Sequence, residues 1–222
     1  MEIGGGDLND IADVLLRHPH VWTLSDDIYE HIIYDGVEFV ALAVVEPRLR
    51  DRILIANGVS KSYSMTRWRI GYGAGPEKLI QAIMVVQSQS TSCPCSISQA
   101  AAVEALTGPQ EIVAEHRKLL QAQCDIVVGS LNKIAALDCS MPQGAFYVFA
   151  SCAGLLGRRT SGGDPLESDI DFCRYLLDAV DVAVVPGACF GLAPFFRISY
   201  PISEGELMEA CGRIERACRA LV

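Results

Sequence analysis

NGVSKSYSMTRWRIGYGAGP, residues 57–76, holds one lysine, Lys61, in a loop of small polar residues, with Arg69 eight positions further on. An apolar run, Ile53-Leu54-Ile55-Ala56, leads into the loop, and a second, from Trp68 to Tyr72, leads out and is closed by Gly73-Ala74-Gly75-Pro76. The first run reads as a strand. A lysine that ends a buried strand is partly desolvated, which favours the neutral amine that attacks a carbonyl carbon. Arg69 offers a fixed fork of donors suited to a phosphate. The pair therefore suits a phosphorylated aldehyde, the amine on the carbonyl and the guanidinium on the phosphate. A surface lysine and an ion-paired arginine would explain two such residues met alone, so the rest of the chain has to decide.

Two other segments carry candidate chemistry. Val21 to Ser25 reads as a buried strand, and Asp26-Asp27-Ile28-Tyr29 follows at its C-terminal end, where ligands gather in open α/β sheets. Near the end of the chain, Phe195 to Tyr200 reads as a strand with Arg197 in its middle. An arginine there is costly to bury unless it meets an anion, and an interdomain salt bridge is the competing explanation.

The stretch SKSYSMTRWRIGYGAGP resembles the lysine-bearing segment of class I, fold-type I aminotransferases that use pyridoxal 5'-phosphate (PLP), in particular the bacterial aspartate-aminotransferase-like branch. The D-x-x-Y of Asp26 and Tyr29 and the run VAVVPGACFGLAPFFRISY (182–200) extend the likeness, which covers the chain from about Asp7 to its end. The resemblance implies that Lys61 is the Schiff-base lysine and Arg69 the phosphate arginine. It implies that Asp26 pairs with the protonated ring nitrogen, keeping the ring an electron sink, and that Tyr29 hydrogen-bonds the ring's phenolic oxygen. Arg197 is then the two-pronged ligand of the substrate's α-carboxylate. Asp27 competes for the ring nitrogen, but the three-residue gap to Tyr29 favours Asp26. In one respect the chain departs from the family, which usually has glycine before the Trp-Arg pair. Here that residue is Arg67, which either crowds the phosphate or adds a contact to it.

The fold implied is α/β: residues 1–110 as the C-terminal part of a PLP-binding large domain with a mixed, mostly parallel sheet, and 111–222 as a smaller α+β domain. The likeness begins midway through the family's large domain, and Met1 to Gly6 match none of its earlier motifs. The expectation is the C-terminal portion of an aminotransferase that transfers an amino group between an aspartate-like amino acid and a 2-oxo acid such as 2-oxoglutarate. Two alternatives accompany it. One is another PLP reaction, a β-lyase or a decarboxylase, on the same scaffold. The other is a non-catalytic remnant or half-subunit that needs a separate N-terminal chain. The family also implies a homodimer.

Composition narrows the class. Half of the 222 residues are hydrophobic, as in a globular protein, and a net charge of −9 argues against nucleic acid as partner. No apolar run reaches the length of a membrane span and no basic-then-apolar leader opens the chain, so a cytoplasmic protein is expected. Nine scattered cysteines, odd in number and without C-x-x-C spacing, read as small core fillers rather than disulfides or a zinc site.

Periodicity predicts helices capped by Asp7, over 77–88, from a Ser96 cap to Leu106, over 109–133 and over 169–180, and a final helix opened by a Ser203/Glu206 capping box. Strands are predicted at 134–139, 144–149, 182–185 and 195–200, and a mobile loop at 158–167.

Overall fold

The computed structural model describes residues 5–222; residues 1–4, part of the segment that matches no family motif, lie outside them. The chain forms two compact units, one up to Arg117 and one from Lys118 on.

In the first unit α1 (Gly5–Arg17) opens the described chain, and Asp7 lies in its first turn rather than capping it. Three strands make a mixed sheet: β1 (Thr23–Asp26) is parallel to β2 (Ile53–Gly58), and β3 (Gly71–Ala74) is antiparallel to β2. One face is covered, because Ala12 of α1, Leu42 of the short α2 (Leu42–Val45), Leu49 and Ile53 form a buried cluster. Arg52 ties α1 to the sheet, donating from Nη2 to Leu15 O (2.6 Å) and from Nη1 to His18 O (2.9 Å), carbonyls in the last turn of the helix and just beyond it. The other face is open. β1, expected to be buried, alternates instead between half-buried and exposed residues, with Leu24 64% exposed.

Two helices follow. α3 (Glu77–Ser90) runs two residues beyond its predicted end, with the Ser88 and Ser90 hydroxyls bonded back to Val85 O and Val86 O. Not one of its residues is buried. α4 (Ser96–Thr107) is capped by Cys95 rather than Ser96.

α5 (Glu111–Leu131) leads into the second unit, where a four-stranded sheet has the order β4-β5-β7-β6: Asp138–Cys139, Tyr147–Ser151, Phe195–Ser199 and Val185–Pro186. Its pairings are all antiparallel. Val148, Ala150 and Phe196 form its buried face, and Phe196 meets Phe172 of α6 (Asp169–Val180) edge-on. Leu207, Cys211, Ile214 and Cys218 of α7 (Glu204–Arg219) complete the core, and the Ser203/Glu206 capping box is present.

In the second unit the strands predicted at 134–139, 144–149 and 182–185 come out short or shifted. Ala145 is in the left-handed region (φ 56°), so β5 starts only at Tyr147. Residues 134–137 turn, and 182–184 run unpaired before β6. The segment 158–167 is a hydrogen-bonded turn rather than a loose loop. Arg159 exchanges backbone hydrogen bonds with Val222, and its Nη1 donates to Gly163 O (2.7 Å).

Candidate active site

Asp26, Tyr29 and Lys61 lie at or just beyond the ends of β1 and β2, and Arg69 precedes β3, whose first residue, Gly71, pairs with Gly58 at the end of β2. The parallel ladder pairs Asp26 with Ala56 and is prolonged by the Asp27 N–H donating to Ala56 O (2.9 Å). Beyond it both strands end. The first passes into the turn that holds Tyr29, the second into the loop that holds Lys61. β2 ends at Gly58, so Lys61 sits three residues beyond the strand, half-buried in the turn. Its Nζ lies 5.9 Å from the centroid of the Tyr29 ring.

The lysine loop is pinned at both ends. Val59 and Ile70 are buried against Ala102 of α4, with Tyr63 and Met65 beside them. At its mouth Gly58 lets β2 and β3 approach: a Cβ there would lie 2.9 Å from Ile70 O and 3.3 Å from Ile28 Cδ1. Trp68 falls in a 3-10 turn (Thr66–Trp68) and is 44% exposed. Arg69 ends that turn in the left-handed conformation (φ 55°, ψ 47°), with one Nη donating to Thr66 O (2.9 Å). Ser64 is left-handed as well (φ 54°). Two non-glycine residues so placed store of order 1 kcal/mol each, the kind of strain that collects at functional loops. Arg67 is exposed in the same turn.

The two aspartates differ in environment. Asp26 is exposed on the open face. Asp27 is buried on the other and accepts a hydrogen bond from the Ser25 hydroxyl (2.7 Å). Asp26 is thus the more accessible of the two carboxylates, and Asp27 is engaged in its own turn. His31 stands 3.5 Å from Glu30 and edge-on to Tyr63.

Arg197 belongs to the second unit. In β7 it stands opposite Phe149 of β5 and Val185 of β6, on the half-open face of the sheet. Its Cζ lies 4.5 Å from the ring centroids of both Tyr147 and Phe190. Cation–π contact with each ring contributes on the order of 0.5–1 kcal/mol or more and fixes the guanidinium plane. None of the ion pairs among the described residues involves Arg197. The aromatic cradle carries no sequence signal, since Tyr147 and Phe190 meet Arg197 only through strand register and the turn after β6.

The donor set fits PLP in kind: an amine, a guanidinium with donors to spare, an exposed carboxylate and a phenol gather at the C-terminal ends of parallel strands.

The sequence signature of the aminotransferase class I and II family matches residues 6–214. The chain belongs to this family. It is 58% identical over 215 residues to an aspartate aminotransferase of Rhizobium meliloti (strain 1021), covering 97% of this chain and 52% of that one. It is 52% identical to a probable aspartate/prephenate aminotransferase of Rickettsia bellii (97% and 54% covered). Among solved structures, the Rhizobium meliloti aspartate aminotransferase superposes with a TM-score of 0.96 at 57% identity, over 99% of this chain and 55% of that one. An aromatic aminotransferase of Pyrococcus horikoshii gives 0.87 at 33% identity, over 98% and 56%. The chain spans about half the length of the curated relatives it matches.

All nine cysteines are free thiols, but only six are buried; Cys93, Cys95 and Cys189 are exposed and so are not core fillers. Among the described residues no helix is long and apolar enough to cross a membrane, and no cluster of metal-ligating side chains occurs.

Proposed function

We propose that the chain takes part in PLP-dependent amino-group transfer between an aspartate-like amino acid and a 2-oxo acid such as 2-oxoglutarate. The observation that carries this reading is the approach of Lys61 Nζ to the Tyr29 ring at the C-terminal ends of two parallel strands. Bound PLP supplies a conjugated ring that draws electrons from the substrate's Cα. Lys61 would hold the cofactor's aldehyde carbon through Nζ and, once released, carry the Cα proton as general base and acid. Asp26 would hold the proton on the ring nitrogen, Tyr29 would donate to the phenolic oxygen, and Arg69 would neutralise the phosphate. Arg197, its plane set by Tyr147 and Phe190, would take the α-carboxylate by two parallel hydrogen bonds. The same reading makes the protein a cytoplasmic homodimer.

The test is the visible absorption of the purified chain with PLP, beside Lys61→Ala. A band that needs Lys61 and is bleached by aspartate supports the reading, and a band equal in both proteins overturns it. The products formed from aspartate separate transamination from lyase or decarboxylase chemistry.

A second reading is favoured by the open sheet face and by α3, which buries none of its residues. On this reading the site residues work only when another polypeptide, supplying the remaining aminotransferase surface, covers them. Activity that appears on adding such a chain, and not before, would select it.

A further inference from the structure

We propose that Glu30 and Asn57 form a clamp that holds the turn carrying Tyr29 against the loop carrying Lys61, which makes both of them positioning residues. The proposal deepens the PLP reading, and only its chemical consequence rests on that reading.

The argument starts where the backbone ladder stops. After Asp27 N–H···O Ala56 the two chains part, and Tyr29 and Lys61 lie beyond the last of these bonds. The next link is made by side chains. Asn57 Nδ2 donates to Glu30 Oε1 at 2.6 Å, partly buried, while Asn57 Oδ1 accepts from the Gly58 N–H at 2.7 Å. The second bond fixes the amide plane, so the NH₂ edge is aimed rather than free to rotate. The first has a carboxylate acceptor, and charge-assisted bonds are about twice as strong as neutral ones. Glu30 is the residue after Tyr29, and Gly58 opens the lysine loop, so this one amide spans both segments.

The clamp is itself braced. Glu30 Oε1 stands 3.5 Å from His31 Nε2, the His31 ring meets Tyr63 edge-on at 6.5 Å, and the Tyr63 hydroxyl donates to Gln110 Oε1 at 2.8 Å. Tyr63 lies two residues after Lys61, so the line of contacts returns to the same loop. Asparagine suits position 57 because its side chain both accepts from its neighbour's N–H and donates across the gap. Aspartate would keep the first bond and turn the second into a repulsion between two carboxylates.

That asymmetry supplies the test. Asn57→Asp should loosen the clamp, and adding Glu30→Gln should restore it with the hydrogen bond reversed, the new amide donating to the new carboxylate. Glu30→Ala, which introduces no repulsion, is the second loosening variant should Asn57→Asp fail to fold. In the full chain without cofactor, amide hydrogen exchange over 28–32 and 59–64 should accelerate about tenfold in the loosened variants and return in the reversed pair. Exchange over 195–199 should not change.

The consequence for the site is read by reducing PLP onto the protein with borohydride and mapping the label. The chain has four lysines, Lys61, Lys78, Lys118 and Lys133, so the other three serve as internal references. Label on Lys61 relative to Lys78 should fall about tenfold in the loosened variants and recover in the reversed pair. Wild-type exchange over both segments in the loosened variants, or no recovery in the reversed pair, overturns the clamp. Altered exchange with unchanged Lys61 labelling overturns the positioning role. Even labelling of all four lysines in the wild type overturns the PLP reading instead, and exchange alone then decides the clamp.

Discussion

Arg197 shows how one residue can be oriented without being neutralised. Tyr147 and Phe190 hold its Cζ between cation–π contacts, and none of the ion pairs among the described residues uses its charge. Arg197→Lys keeps the charge and loses both the flat stack and the fork. On the proposed reading kcat/KM for aspartate should fall about 100-fold in this variant, or in its reconstituted complex, the order of one lost charge-assisted pair. The Lys61-dependent visible band should not change, and a band lost together with activity would mean that the substitution had disturbed more than the carboxylate site. Cysteine reactivity is a second matter decided residue by residue. Burial pushes the thiols of Cys139, Cys173 and Cys218 up to about 12. The exposed Cys95 is held below the ordinary thiol value, chiefly by the backbone N–H groups of Ser98 and Ile97. Iodoacetamide at pH 7 should therefore label Cys95 at least about tenfold faster than those three, as read by peptide mass, and its rate should level off at a lower pH than that of a free thiol. Lys61, Asp26, Tyr29, Arg69 and Arg197 could be singled out as candidates from residue type, local pattern and the family resemblance. The partners that orient them could not. Glu30 and Asn57 lie 27 positions apart, and Phe149 faces Arg197 only through the β5–β7 register.

Elements with a long period were legible and short ones were not. Helix α6 occupies its predicted span, 169–180, because twelve residues repeat a 3.6-residue stripe with Ser168 as cap. Strand β6 shrank to two residues because pairing needs a neighbouring strand as well as β-branched side chains, and 182–184 have no strand partner, the Val182 N–H turning back to Leu176 O. Helix α7 offers a direct test of local coding. The Ser203 Oγ accepts from the Glu206 N–H, and Glu206 Oε2 accepts from the Ser203 N–H at 3.2 Å. Ser203→Ala should cost about 1 kcal/mol, seen as a lower thermal midpoint. The Ser203 hydroxyl, and then its N–H, hold the Glu206 carboxyl below its ordinary value. Its contribution is therefore present above the ordinary carboxylate range and lost as pH falls through the lowered value. The wild type should lose part of its advantage over Ser203→Ala at the acid end. Gly187 is a harder case, since an added Cβ would overlap Leu192 O and lie 2.8 Å from Phe195 Cβ. Gly187→Ala should destabilise the turn between β6 and β7 by about 2 kcal/mol or more, and a midpoint within error of wild type would refute that packing.

At the scale of the molecule the first unit leaves large apolar side chains to water on both its sheet and α3. Leu24 is 64% exposed on the open sheet face, and Met84, Val85 and Val86 on α3 are 63%, 64% and 67% exposed. A helix with no buried residue gains little from tertiary packing, which is where most helical stability in proteins comes from. Apolar surface gains about 25 cal/mol for each Å² removed from water, so a patch of this kind favours whatever covers it. In isolation the chain should therefore associate with itself, and sedimentation equilibrium should return a mass that climbs with concentration above 24.0 kDa. Met84→Glu combined with Val86→Glu puts two charges on the exposed turns of α3. It should bring the mass back toward the monomer while leaving the second unit's spectroscopic signature unchanged, because neither side chain is part of any core. A wild-type chain that stays monomeric to about 100 µM would show that this surface is tolerated in water. The open face would then have to be stabilised within the first unit, and the case for a covering polypeptide would fall with it.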